Sequence, residues 1–373
     1  MGKSSVMMVL NALHSGGTEA TCVELARNLV REHTVEVVSL HGGGPAAEEL
    51  KAAGVGTHLL STNGVPRPVA ASLALQRLLR NMRPDAVLTF LYVSDLFGGA
   101  LARACVPAAR VFWNIRNNVL SKRHTGRLSY FACRANARLS RLIPHQIVYC
   151  SHLAREQHES IGYYRGVGTV VENSADSVSF AFSEKKRQEL RAGMPGDEYI
   201  FLFMGRFDEV KRVDLYLLAG AALCRRHRRV RFVIAGRDMD HANPRLRTAI
   251  VTSGIPVDRL ELLGHVSDPQ LLYSAADCLV VTSETEGSPN VVYEALATRL
   301  PTIIMATVGT EHICGPGITR LPQRDLAALV DAMESVVAGG PVPPAARLSR
   351  EQSQRQLLPH PLVVHYRRVL TGS

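Results

Sequence analysis

Ser283-Glu284-Thr285-Glu286-Gly287-Ser288-Pro289-Asn290-Val291-Val292-Tyr293-Glu294-Ala295 is the stretch on which the reading of this chain turns. The apolar run ahead of it, Cys278 to Val281, has the unbroken hydrophobicity of a strand buried in a parallel sheet. Ser288 suits an N-cap and Pro289 a first helical position, while Val291, Val292 and Leu296 make an apolar helical stripe. The unit is therefore strand, polar loop and helix N-terminus. Such a unit aims unpaired N–H groups and a positive helix end at one point, a place for an anion. Two acids share that place, Glu286 in the loop and Glu294 on the second helical turn. Acids do not suit a bare phosphate. They suit a ligand that carries phosphates together with sugar hydroxyls, because carboxylates accept hydrogen bonds from hydroxyls.

Seven residues separate Glu286 from Glu294, and the frame Glu-Gly-x-Pro-Asn-Val-x-x-Glu-Ala resembles the signature of retaining glycosyltransferases of family 4 type. The resemblance implies an α/β chain of the GT-B fold, with two Rossmann-like, doubly wound parallel-sheet domains facing across a cleft. Residues 1–182 would form the N-terminal acceptor domain and 183–350 the nucleotide-sugar donor domain. A helix in 351–373 would pack back on the first domain.

The rest of the chain agrees with two such halves. Its 373 residues fill two domains of ordinary size, and 46% hydrophobic with 20% charged residues is the composition of a globular protein. No run of about 18 apolar residues predicts a membrane-spanning helix, and the N-terminus reads as a first buried strand, Val6 to Leu10, not a secretion signal. Seven cysteines without a C-x-x-C pair point to buried, reduced thiols in a cytoplasmic protein. Strands alternate with helices through the first half and restart at Tyr199 after a charged, glycine-broken segment, Phe180 to Glu198.

Four groups of residues carry the expected chemistry. Gly16 and Gly17, between the first strand and a helix over Ala20–Val30, let backbone approach a phosphate and resemble the family's Gly-Gly-x-Glu. Gly205 and Arg206 close a strand, and Lys211 follows five residues on, so fork and point charge can clamp a diphosphate. The resemblance gives Arg206 and Lys211 that task, Glu286 the donor-sugar hydroxyls and Glu294 the ribose. It sets Gly287, Ser288, Pro289, Asn290 and Val291 against sugar and phosphates, and His265 and Glu311 near the donor. Arg116 and Asn117, after the strand that begins at Val111, are acceptor-side candidates, although this stretch lacks the histidine many members carry there.

The net charge of +10 asks for an anionic partner. Residues 114–141 hold seven arginines and lysines (Arg116, Lys122, Arg123, Arg127, Arg134, Arg138, Arg141), no acid, and Leu120, Leu128, Tyr130, Phe131 and Leu139 between them. This is a basic amphipathic pattern suited to an anionic membrane surface. Asp238-Met239-Asp240 matches the metal motif of another glycosyltransferase fold but lacks its context, so neither a metal nor another cofactor is expected.

The expected activity is transfer of a sugar, with retention, from a UDP-sugar to a glycan or lipid-linked glycan in bacterial surface polysaccharide or glycoconjugate synthesis. The expected location is cytoplasmic, peripheral on the inner face of the cell membrane. The alternatives are a sugar-nucleotide epimerase on the same fold and a basic nucleic-acid binder. No nucleic-acid motif favours the latter.

Overall fold

The structure is a computed structural model and describes residues 3–14, 16–61, 68–118, 126–175, 179–194, 198–340 and 361–371. Leu120, Lys122 and Arg123 of the basic segment lie outside the described residues. The chain divides into two compact units, residues 1–173 with 360–373, and residues 174–359.

The first unit runs β1 (Ser5–Leu10), α1 (Gly17–Leu29), β2 (Thr34–Ser39), α2 (Pro45–Ala52), β3 (Gly56–Leu59), α3 (Pro68–Met82), β4 (Ala86–Phe90), α4 (Tyr92–Cys105), β5 (Arg110–Ile115), α5 (Arg127–Leu139), β6 (Gln146–Tyr149), α6 (His152–Ser160) and β7 (Gly168–Val170). The second runs α7 (Glu184–Arg191), β8 (Tyr199–Met204), α8 (Val213–Arg226), β9 (Val230–Ala235), α9 (Pro244–Ser253), β10 (Leu260–Gly264), α10 (Pro269–Ala275), β11 (Cys278–Val281), α11 (Asn290–Ala297), β12 (Thr302–Met305), β13 (Ile318–Leu321) and α12 (Leu326–Ala338). A last helix, α13 (Pro361–Thr371), belongs to the first unit.

Among the described residues the first sheet has the order β3-β2-β1-β4-β5-β6-β7 and the second β10-β9-β8-β11-β12-β13. Every pairing is parallel. The doubly wound α/β fold expected from the strand–helix alternation is thus present twice. Both faces of each sheet are covered, so strands such as Met7-Met8-Val9 and Cys278 to Val281 are apolar without alternation. Strand order reverses at β1/β4 and at β8/β11, and in open α/β sheets ligands bind at the carboxyl ends of the strands at such switch points. Gly16 follows β1, Gly205 follows β8 and Glu286 follows β11, so all three stand at switch points.

Several local readings change. The helix after Ser288 begins at Asn290, with Pro289 at the cap and no side-chain cap, so Ser288 is not the N-cap. The segment 180–198, which shows no strand pattern in the sequence, contains α7. This helix packs on α10, where Arg187 and Arg191 pair with the buried Asp277 and Arg187 donates to the Ser274, Ala275 and Ala276 carbonyls at the helix end. Among the described residues before α7, Phe180 meets Tyr273 of the second unit edge-on, and Ser183 N–H donates to Ser274 Oγ at 3.2 Å. α13 lays Leu362, Val363, Tyr366 and Leu370 into the core of the first unit, and Tyr366 Oη donates to Asn114 Oδ1 at 2.7 Å.

Candidate active site

The second unit builds its site where β8 and β11 lie side by side. β8 ends at Met204, and Gly205 continues the ladder by donating its N–H to Ala235 O at 2.9 Å. The chain then forms a short 3-10 turn, Glu209–Lys211, capped by Asp208, whose Oδ1 accepts the Val210 N–H at 3.0 Å. Arg212 follows in the left-handed region, at φ +50°, and turns the chain into α8. This sharp double turn brings Lys211 back over the strand ends. Its methylenes pass beside Gly205, where a Cβ would stand 3.7 Å from Lys211 Cδ and Cε.

Across from it, the loop after β11 is pinned on three sides. Glu284 N–H donates to Val210 O at 2.8 Å, and Glu286 N–H to Val308 O at 2.9 Å. Thr282 Oγ1 donates to the Lys211 and Arg212 carbonyls. From the far side Arg324 donates to the Thr282 and Ser283 carbonyls at 2.6 and 2.8 Å. Burial pushes the Arg324 guanidinium down, as does the neighbouring Arg212 charge. Backbone and fork together hold the loop in one position, and Glu286 is delivered to Lys211, with Nζ to Oε1 at 2.6 Å.

Lys211 and Glu286 are thus the predicted residues in direct contact. Arg206 stands apart from them. It is exposed and folds back on Asp208 through Nε at 3.0 Å and a second nitrogen at 2.6 Å. That fork and the Val210 N–H hold the Asp208 carboxyl below the usual range against the opposing cost of its partial burial. Each cation is therefore seated on an acid, ready to exchange it for a more highly charged partner.

α11 presents its uncapped first turn at the same loop, and Gly287, Ser288, Pro289, Asn290 and Val291 form the approach to it. One turn on, the half-buried Glu294 accepts a hydrogen bond from Tyr273 Oη at 2.6 Å. Burial pushes its carboxyl up to about 7, against the pull of the Tyr273 hydroxyl in the other direction. Glu311 is exposed and turns back on its own loop, where both carboxylate oxygens accept the Gly309 N–H at 3.0 and 2.8 Å. His265 is exposed at the end of β10, two strands from β8. Asp240, of the Asp-x-Asp stretch, accepts the Ala242 N–H at 2.8 Å in a local turn.

The remaining predicted residues lie in the first unit. Gly16 is the cap and Gly17 the first residue of α1, both exposed, so helix and glycine pair start together. Arg116 is turned inward: it is buried and donates to Val171 O at 3.3 Å and to Asn173 Oδ1. Asn117 is half-buried against Tyr92.

Sequence reasoning missed Arg324, Thr282 and Tyr273. Arg324 is forty-one residues from Ser283 and Tyr273 twenty-one from Glu294, with no spacing signal. Only the order of strands in the sheet makes them neighbours.

Residues 198–338 match the family model described as glycosyl transferases group 1, and residues 15–177 match glycosyltransferase family 4. Over 303 residues the chain is 25% identical to the Campylobacter jejuni GalNAc-alpha-(1->4)-GalNAc-alpha-(1->3)-diNAcBac-PP-undecaprenol alpha-1,4-N-acetyl-D-galactosaminyltransferase, covering 78% of this chain and 76% of the relative. A second relative, the alpha-D-kanosaminyltransferase of Streptomyces kanamyceticus, is 30% identical over 44% of this chain and 43% of its own. In fold the chain is similar to Anabaena HepE, solved in complex with UDP-glucose, at a TM-score of 0.81 and 15% identity over 99% of this chain and 98% of that one. With two doubly wound sheets, an acid pair in the family frame and both family models spanning most of its length, this chain belongs to the family 4-type glycosyltransferases of the GT-B fold.

Proposed function

We propose that this glycosyltransferase is a hexosyltransferase that takes its sugar from a UDP-sugar and passes it, with retention of configuration, to a glycan or lipid-linked glycan acceptor in surface polysaccharide or glycoconjugate assembly. The observation that carries the proposal is the seating of Lys211 on Glu286 at the β8/β11 switch point, with Glu294 two turns of chain away. UDP and UDP-glucose complexes of a structural neighbour support the nucleotide, and the Campylobacter relative's undecaprenol-linked substrate supports the acceptor class.

A diphosphate arriving at the strand ends draws Lys211 from Glu286 and Arg206 from Asp208, because a doubly charged phosphate outcompetes one carboxylate. Glu286 then accepts hydrogen bonds from the donor sugar, and Glu294, largely protonated below pH 7, meets ribose hydroxyls. The bond from the anomeric carbon to the phosphate oxygen breaks while the acceptor oxygen bonds to the same face of that carbon. The acceptor proton passes to the departing phosphate oxygen. No enzyme nucleophile and no resident metal enter this scheme.

The acceptor's membrane setting is proposed from α5. Its outer face carries exposed Leu128 and Phe131 beside exposed Arg127, Arg134 and Arg138, with no acid in the helix, while Ala132, Cys133, Asn136 and Ala137 face the core. Among the described residues no helix is long and apolar enough to cross a membrane. Flotation with liposomes rich in anionic lipid is expected to carry the protein, and equal flotation with neutral liposomes would remove this part.

A thermal-shift panel of UDP- and GDP-sugars, followed by UDP-release assays with and without chelator, tests the whole. UDP-sugars are expected to raise the melting temperature and to turn over only with acceptor, unaffected by chelation. Turnover without any acceptor would favour an epimerase. Salt-sensitive binding to unrelated DNA with no sugar-nucleotide effect would favour a nucleic-acid protein.

A further inference from the structure

Beneath Asn117 runs a chain of hydrogen bonds whose proton count can be closed. His158, fully buried on α6, places Nδ1 2.6 Å from Ala154 O and Nε2 2.9 Å from Tyr92 Oη. Tyr92 Oη also stands 2.7 Å from Asn117 Oδ1, and the Cys133 thiol shares the same hydroxyl. A carbonyl oxygen only accepts, so the Nδ1 of His158 carries the proton. A neutral imidazole then has an accepting Nε2. Burial among the Tyr92, Tyr149 and Tyr163 rings keeps it neutral. The single Tyr92 hydroxyl proton must go to that nitrogen, so the Tyr92 oxygen is an acceptor toward Asn117. Asn117 Oδ1 facing that oxygen would set two acceptors against each other, so the proton count turns the amide over and puts its NH2 toward Tyr92.

From this order we infer that His158 is a positioning residue that acts through Tyr92 to fix the Asn117 amide with its NH2 inward and its carbonyl oxygen outward, as the acceptor of a hydrogen bond from a substrate hydroxyl. Asn117 lies two residues beyond β5, on the carboxyl edge of the first sheet. It is half-buried, and among the described residues its amide has no second protein partner. The hydroxyl's source is the glycan acceptor, so this recognition role rests on the acceptor placement proposed above. The proton order itself rests only on the geometry. The outward carbonyl selects a group that can donate, a sugar hydroxyl, and disfavours a group that only accepts at that spot, such as a phosphate oxygen or an ether.

Two measurements separate the order from the recognition role. In the wild-type protein, nitrogen-15 NMR of the His158 ring is expected to show the Nδ1–H tautomer, with contacts from the Asn117 NH2 protons to the Tyr92 ring. An Nε2–H tautomer, or Asn117 NH2 protons remote from Tyr92, overturns the order. In kinetics, Tyr92→Phe is expected to raise the KM for acceptor by about three- to tenfold, leaving the donor KM unchanged. His158→Leu should do the same, while His158→Gln, whose side-chain oxygen can take the Tyr92 proton, should stay near wild type. An unchanged acceptor KM in Tyr92→Phe overturns the recognition role, even with the NMR order intact. Failure of the wild type to transfer sugar to any acceptor would count against the proposed function instead, with the NMR result still deciding the order.

Discussion

Lys211 Nζ stands 2.6 Å from Glu286 Oε1, joining a residue of the turn after β8 to one of the loop after β11 across seventy-five positions of sequence. Both side chains are largely covered, at 21% and 11% exposure, so this pair is less screened than a surface bridge. Each charge of the pair is balanced by the other. Donor binding is also coupled to the Lys211–Glu286 contact, since the lysine cannot serve the carboxylate and a diphosphate equally.

Removing either partner is therefore expected to do more than delete one contact. Lys211→Met leaves Glu286 partly buried without its counter-charge, and transfer should fall at least a hundredfold, because a cation at the leaving phosphate is worth about 3 kcal/mol or more in the transition state. Glu286→Gln keeps the shape and a hydrogen-bonding oxygen, so its loss should appear mainly in kcat. Steady-state UDP release for both variants checks this. A Lys211→Met enzyme within threefold of wild type would contradict the assignment.

Arg206→Ala should lower kcat more than it raises the donor Kd. The exposed guanidinium trades one acid, Asp208, for the bound diphosphate, and its added worth is expected as further negative charge builds on the leaving phosphate. Titration calorimetry with UDP beside single-turnover rates separates the two quantities, and equal losses in both would show ordinary ground-state binding.

Gly236→Ala is expected to disrupt the second unit. Gly236 has φ +141°, a backbone conformation that residues with a side chain rarely adopt, and an added Cβ would run into the Gly205 carbonyl. Strain and overpacking together cost about 3 kcal/mol or more, which should lower Tm by several degrees in a scanning-calorimetry trace. Gly254→Ala, also at positive φ but with nothing within 4 Å of its Cβ, should cost about 1 kcal/mol.

Arg324→Met should loosen the loop without touching substrate. The Thr282 carbonyl loses the Arg324 donor and the Ser283 carbonyl keeps only Thr307 Oγ1, at about 1–3 kcal/mol in all. Donor KM is expected to rise about tenfold, and hydrogen exchange should quicken across 282–288. Unchanged exchange there would show that the backbone bonds alone suffice.

The buried His158 and the half-buried Glu294 give stability opposite slopes with pH. His158 is pushed down from 6.5 to about 4 by burial, opposed by its bond to the Ala154 carbonyl. Between those values the unfolded chain binds more protons, so stability is complete above pH 6.5 and falls by about 3 kcal/mol as pH drops through 4. Glu294 is pushed from 4.5 to about 7, so its folded state binds more protons. Stability there is complete below pH 4.5 and falls by up to about 3 kcal/mol as pH rises through 7, less where water reaches the side chain. In urea unfolding from pH 4 to 8, His158→Gln should remove the first slope and Glu294→Gln the second.

The sequence by itself determined the elements that need only local physics. Apolar strands of four to six residues, glycines after β1 and β8, and a strand-to-helix loop with acids at Glu286 and Glu294 were legible because period, turn chemistry and spacing are properties of neighbouring residues. Helices such as α7 and α9 escaped notice because a polar or mixed surface helix shows little stripe until its partner is known; α7 is held by Arg187 and Arg191 on Asp277, ninety and eighty-six positions away. What only the tertiary structure decided is who faces whom. The sheet order β8-β11 set Lys211 on Glu286, folded Arg324 under the loop and gave Glu294 a tyrosine, and in the first unit the order β5-β6-β7 turned Arg116 inward toward Asn173. Partners so distant in sequence become neighbours only when parallel strands align, and the charges and hydrogen bonds of the site are settled at that step.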